Sequence, residues 1–208
     1  MIDLYTWSTP NGRKVSIMLE ELALDYTVHA IDITKGDQHS AEFVAINPNA
    51  KIPALVDSDG PDGAPITVFE SAAIMMYLAE KYKSPLLPSE TRARYQVMQW
   101  VMLQMGGIGP MFGQVHHFVR FAKEDVPYAK KRYYDEARRL YGVLDRRLDA
   151  SPYLAGETYS IADIATYPRV ARHEWQEIDL NDFPAVKRWF DELSARPAVA
   201  KGMAVPEL

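Results

Sequence analysis

Ile2-Asp3-Leu4-Tyr5-Thr6-Trp7 is followed by Ser8-Thr9-Pro10-Asn11-Gly12, then by a run that brings Val15, Met18, Leu19 and Leu22 onto one helical face. The first six residues read as a strand. The next five carry turn and helix-start chemistry, and apolar spacings of three and four predict the helix. Outward from this unit, Tyr26 to Ile33 reads as a second strand and Ala41 to Ile46 as a short helix. Pro53-Ala54-Leu55-Val56-Asp57, the loop Ser58 to Pro65, and Ile66-Thr67-Val68-Phe69 read as a hairpin, with a helix from Ser71 to Lys81. The predicted order is βαβαββα, an α/β domain.

The rest of the chain changes character. Tyr95, Met98, Met102 and Met105 recur at helical spacing, as do Tyr133, Ala137, Leu140, Leu144 and Leu148. Ser160-Ile161-Ala162-Asp163 is a capping-box pattern that serves stability, and Pro184 opens a later helix through Trp189, Phe190 and Leu193. The methionine stripe is core or dimer interface, and Gly106-Gly107-Ile108-Gly109 is expected to break a helix. An α/β domain over 1–84, a linker over the turn-rich 85–88 and an all-α domain over 89–208 follow. Charge changes at the same boundary: residues 1–84 carry twelve acids and six bases, residues 85–208 sixteen and seventeen.

Composition narrows the function. With 48% apolar and 25% charged residues in 208, the chain has material for a core. A net charge of −5 argues against a nucleic-acid partner. Acids interleave the basic pairs Lys130-Lys131-Arg132, Arg138-Arg139 and Arg146-Arg147, which read as a solvated helix face. The longest apolar run, Ala72 to Ala79, is eight residues, and Met1 to Tyr5 has no basic leader, so a cytoplasmic protein without a membrane partner is expected. Adjacent His116 and His117 face apart on a helix, and no metal site is expected. There is no cysteine. Disulfide staples, cysteine metal sites and protein-thiolate mechanisms are excluded, so any redox sulfur must arrive on a ligand.

A βαβαββα domain ahead of an all-α domain resembles the glutathione transferase superfamily, whose first domain is thioredoxin-like. Asn49-Ala50-Lys51-Ile52-Pro53-Ala54-Leu55 resembles that family's cis-proline loop, and Phe69-Glu70-Ser71-Ala72-Ala73-Ile74 its Glu-Ser pair for the γ-glutamyl end of glutathione. Ser8 to Lys14, Lys35-Gly36-Asp37-Gln38 and Gly106 to Phe118 are similar to the nu class, the bacterial glutathione-dependent disulfide-bond reductases. The resemblance implies a homodimer that binds reduced or oxidised glutathione and takes small disulfide or electrophilic substrates.

Thr9 and Asn11 are, by residue type, ordinary helix-start residues. The resemblance adds a catalytic role: they stand where a thioredoxin carries its cysteines, and donate hydrogen bonds to the sulfur of bound glutathione. It likewise implies glutathione contacts for Asn11, Gln38, Lys51, Ile52, Glu70 and Ser71, and for Arg132 from the helical domain. Glu70 would pair with the α-ammonium, Ser71 and nearby amides would receive the carboxylate, and the Ile52 backbone would pair with the cysteinyl part like an added strand. As residue types alone, Glu70 and Ser71 also suit a helix start, Ile52 a core, and Gln38 and Lys51 a solvated surface. Ser8 departs from the nu-class pattern. It leaves open a conjugating transferase that uses a serine, and a non-catalytic glutathione-binding module remains a third reading.

Overall fold

The computed structural model describes residues 1–207, and the chain separates into two compact units, one of residues 1–84 with 196–207 and the other of Pro85–Ala195. The first unit runs β1 (Ile2–Thr6), α1 (Pro10–Glu21), β2 (Tyr26–Ala30), a 3-10 turn (Asp37–His39), α2 (Ala41–Ile46), β3 (Ala54–Asp57), β4 (Ile66–Phe69) and α3 (Ser71–Lys81). The sheet order is β2-β1-β3-β4, with β1 and β2 parallel and the other pairs antiparallel. This is the expected thioredoxin-like α/β domain.

Strand alternation buries Ile2, Leu4 and Thr6 of β1. Val15, Met18 and Leu19 of α1 and Ile74, Met75 and Leu78 of α3 are fully buried, and these two helices pack on each other. Each such side chain contributes about 1.5–3 kcal/mol by leaving water. On the alternate positions the Tyr5 ring stacks on His29 at 4.5 Å and meets Phe43 of α2 at 6.3 Å.

The second unit is all-helical among the described residues, apart from an isolated bridge between Tyr153 and Gly156. Its helices are α4 (Thr91–Leu103), α5 (Gly109–His116), α6 (Pro127–Asp149), α7 (Ile161–Val170) and α8 (Pro184–Ser194). Helix α7 is its buried centre. Asp163 closes the expected capping box on Ser160 and also accepts from Leu154 N at 3.0 Å and Trp189 Nε1 at 2.9 Å. The glycine-rich stretch does not break a helix. Residues Gln104–Ile108 form a π-helical segment that carries α4 directly into α5, and a second π segment, His117–Phe121, follows α5. Glycine lowers helix propensity, but a wider turn that still satisfies the backbone accommodates it. The methionine stripe is only partly buried: Met98 and Met105 are half-buried, whereas Tyr95 is 67% and Met102 50% exposed, and Val97 and Val101 supply the buried face of α4.

Two domain limits also differ from expectation. The last helix, α9 (Pro197–Ala204), packs on α1 in the first unit instead of joining the helical domain. Ser16 Oγ donates to Gly202 O at 2.6 Å, and a Cβ at Gly202 would lie 2.5 Å from the Ile17 backbone. Arg196 forks onto Glu21 at 2.9 and 2.8 Å. Apolar periodicity marks a face to be covered and does not name the neighbour that covers it. The supposed linker 85–88 is part of the second unit, with Leu87 buried and Leu86 O accepting from Ile161 N at 3.0 Å. No helix among the described residues is long and apolar enough to cross a membrane.

Candidate active site

Register across the sheet brings several chain segments to one end. Tyr5 of β1 faces Ala54 of β3, Ala54 faces Phe69 of β4, and Thr6 faces Ala30 of β2. At that end the chain leaves β1 through Thr9 to Asn11, enters β3 through Lys51 to Pro53, and leaves β4 through Glu70 and Ser71. Gln38 lies in the 3-10 turn that follows β2. Seven of the eight expected site residues thus come from segments at one end of one sheet. Arg132 belongs to the other unit.

Thr9 is the N-cap of α1. Its backbone is extended at φ −120°, ψ 159°, and its Oγ1 accepts from Gly12 N at 3.2 Å. That bond uses an oxygen lone pair and leaves the hydroxyl proton for another acceptor. Pro10 occupies the first helical position, where its missing N–H costs nothing. Gly12 is required by close approach, because a Cβ there would overlap Thr6 Oγ1 and Trp7 O. The Asn11 side chain is half-buried and makes no hydrogen bond among the described residues. Two donors therefore flank Pro10 at the helix start, where the macrodipole favours an anion.

Ser8 is placed differently. Its Oγ accepts from Arg13 Nη2 at 3.2 Å. Arg13 is a neighbour that the sequence reading missed; its position four residues beyond Thr9 on the helix is the signal that could have found it. Burial lowers the Arg13 pKa, and its buried Nε lacks a partner among the described residues.

The other segments have distinct constraints. The Ile52-Pro53 peptide is cis. Asn47 secures the loop before it, donating from Nδ2 to Lys51 O at 2.6 Å while its Oδ1 accepts from Asn49 N at 3.0 Å. Ile52 is half-buried and its backbone lies outside the ladder that begins at Ala54, while the Lys51 side chain is exposed. Glu70 adopts φ 71°, ψ 117°, a conformation that costs a side-chain-bearing residue about 1–3 kcal/mol. Its carboxylate makes no capping bond. A helix-start role therefore does not account for it. Ser71 is buried at the first position of α3. Gln38 is half-buried, with Oε1 buried and unpartnered among the described residues and Nε2 3.3 Å from His39 Nε2.

On α6 the basic residues separate by partner. Lys130 pairs with Asp125 at 2.6 Å, Lys131 with Asp135 at 2.6 Å, Arg138 with Asp182 at 2.9 Å, and Arg139 forks onto Glu136 at 2.8 Å. Arg132 makes no ion pair within 4 Å among the described residues, and it lines an open cavity of about 810 Å³ with Met111, Tyr128 and Tyr133. Among the described residues no group of three or more His, Cys, Asp or Glu side chains could hold a metal ion.

The sequence matches the glutathione S-transferase N-terminal domain family over residues 9–81 and the C-terminal domain family over residues 108–197. The chain belongs to the glutathione S-transferase family. It is 49% identical over 209 residues to the disulfide-bond oxidoreductase YfcG of Escherichia coli K12, with 100% of this chain and 97% of that protein covered. A glutathione transferase from Burkholderia graminis, solved with two glutathione molecules bound per subunit, is similar at TM-score 0.93 and 46% identity, covering 99% of this chain and 88% of that one. Another, from Pseudomonas putida with one glutathione disulfide bound per subunit, is similar at TM-score 0.94 and 46% identity, covering 99% and 91%. In glutathione S-transferase terms the sheet end described above lies in the N-terminal domain and Arg132 in the C-terminal domain.

Proposed function

We propose that the chain is a glutathione-dependent disulfide-bond reductase in which bound glutathione supplies the only redox thiol. The observation that carries this reading is the start of α1 in a chain without cysteine: a hydroxyl and an amide stand at the turn from strand to helix, and the hydroxyl keeps its proton. Thr9 and Asn11 donate to the glutathione sulfur and favour its thiolate. The thiolate attacks a substrate disulfide, forming a mixed disulfide with glutathione and releasing one substrate thiolate. A second glutathione attacks the mixed disulfide through its thiolate, giving glutathione disulfide and the second substrate thiol. The kinship with a disulfide-bond oxidoreductase and with transferases solved with two glutathiones or a glutathione disulfide supports this order of events.

Glu70 pairs with the ligand ammonium, Ser71 and the α3 amides receive its α-carboxylate, and the Ile52 backbone pairs with the cysteinyl unit. Gln38 and the exposed Lys51 serve the glycyl end, and Arg132 adds a cation. The exposed Tyr95 and Met102 fit the surface of a cytoplasmic homodimer. The second reading, a conjugating transferase, draws on Ser8, whose hydroxyl is polarised by Arg13. Turnover of glutathione with hydroxyethyl disulfide against chlorodinitrobenzene separates them. Much faster disulfide turnover is expected; the reverse would favour conjugation, and silence with both would leave a binding module.

A further inference from the structure

The helical unit holds a cation cluster that the glutathione contacts do not use. Arg169 on α7 is half-buried. Its guanidinium lies along the backbone of α5, with Nη1 3.3 Å from where a Cβ of Gly113 would stand. Its Nε is buried without a partner, and no carboxylate pairs with Arg169 or with Arg120 among the described residues. Arg120, on the π segment after α5, places Cζ 4.5 Å from the centre of the Trp175 ring, and Arg172 stacks on the same ring at 4.4 Å. Trp175 meets His116 edge-on at 5.7 Å.

His116 does not supply the missing negative charge, nor does it add a positive one. Gln176 Nε2 can only donate, and it lies 3.1 Å from His116 Nε2, so that ring nitrogen is an unprotonated acceptor. Burial first, and then Arg169 and Arg172, push His116 down to about 4. Burial alone pushes Arg169 down to about 10. No ring stacks on Arg169 and no carboxylate pairs with it among the described residues, so packing alone does not account for its half-buried guanidinium. An anion would. The π segment that positions Arg120 is the kind of helix irregularity that often accompanies a binding site.

We propose that Arg169 and Arg120, with Arg172, form a binding site within the helical unit for a small carboxylate-bearing disulfide. That the ligand is a disulfide rests on the reductase reading; the anion site itself does not. Guanidiniums take carboxylates through paired N–H donors.

The test uses dithiodiacetate and its neutral diamide, titrated calorimetrically into the full-length protein with S-methylglutathione saturating the glutathione site, so that no exchange occurs. Wild type is expected to bind the diacid at least tenfold more tightly than the diamide. Arg169→Met and Arg120→Gln are each expected to remove most of that preference, with the diamide unchanged. Arg120 is exposed, so its variant tests the site even if Arg169→Met fails to fold. Equal binding of diacid and diamide by wild type, or an undiminished preference in a folded Arg120→Gln, would overturn the proposal. Absence of turnover with both disulfides and free glutathione would defeat the reductase reading instead, leaving the binding preference to decide the site.

Discussion

Thr9→Ala removes two contributions that the structure separates. The first is the cap: Gly12 N–H loses the acceptor that Thr9 Oγ1 provides at 3.2 Å, at a cost of about 1 kcal/mol of stability. The second is the hydroxyl proton, which the cap bond does not consume. If it reaches a glutathione thiolate, its loss removes a charge-assisted hydrogen bond of about 1.5–3 kcal/mol and slows kcat/KM roughly tenfold to a hundredfold. Asn11→Ala removes a donor without an intramolecular partner, so it should lose activity in a similar range with little change in stability. Thr9→Ser keeps the cap and the proton and should restore most of both. Ser8→Ala removes the acceptor for Arg13 Nη2 and should keep most reductase activity. The assay is kcat/KM with glutathione and hydroxyethyl disulfide for the four variants, beside urea unfolding of each. If Ser8→Ala proves the most damaged, the serine-type conjugating reading replaces this one. An activity loss in Thr9→Ala no larger than its loss of folded protein would reduce Thr9 to a cap.

Three further outcomes are expected. Arg132→Ala should weaken binding of oxidised glutathione more than Lys130→Ala or Arg139→Ala, because the latter two already hold Asp125 and Glu136; equal losses in calorimetric titration would show a diffuse charge effect. His116 has its pKa depressed from 6.5 to about 4, so its contribution to stability is present above pH 6.5 and is lost as pH falls toward 4, by about 2 kcal/mol after solvent relaxation. His116→Gln should flatten that part of the profile, and parallel unfolding profiles for wild type and variant would refute the claim. Asp163→Ala strips acceptors from Ser160, Leu154 and Trp189 inside the helical core and should cost about 3–5 kcal/mol in urea unfolding, whereas a loss below 1 kcal/mol would contradict the buried network.

What the sequence made legible followed from local rules. Thr9-Pro10 announced the start of α1 because capping and ring geometry act within three residues. Ser160 and Asp163 announced α7 in the same way. The hairpin around residues 58–65 was readable because turn chemistry separates two β-prone runs. Helix α9 was readable as a helix and not as a partner of α1: Gly202 becomes a contact residue only once Ile17 is known to face it. The methionine stripe shows a related limit. Spacing located one face of α4, but Val97 and Val101 line the face that is buried.

The candidate site shows the same division. Glu70 looks like any acid at a helix start until its positive φ and uncapped carboxylate are seen, and Arg132 looks like its neighbours until Lys130, Lys131, Arg138 and Arg139 are found to hold acids. Arg120, Arg169 and Arg172 share no spacing that a sequence pattern could detect, because two helical elements and the turn before Trp175 bring them to one histidine and one indole. The segments proposed to handle the glutathione sulfur are short and their chemistry is local, so their meeting at one sheet end was readable. The proposed carboxylate preference depends on groups assembled from distant stretches. A change in that preference can therefore arise at Arg120 or Arg169 while Thr9, Asn11, Glu70 and Ser71 stay as they are.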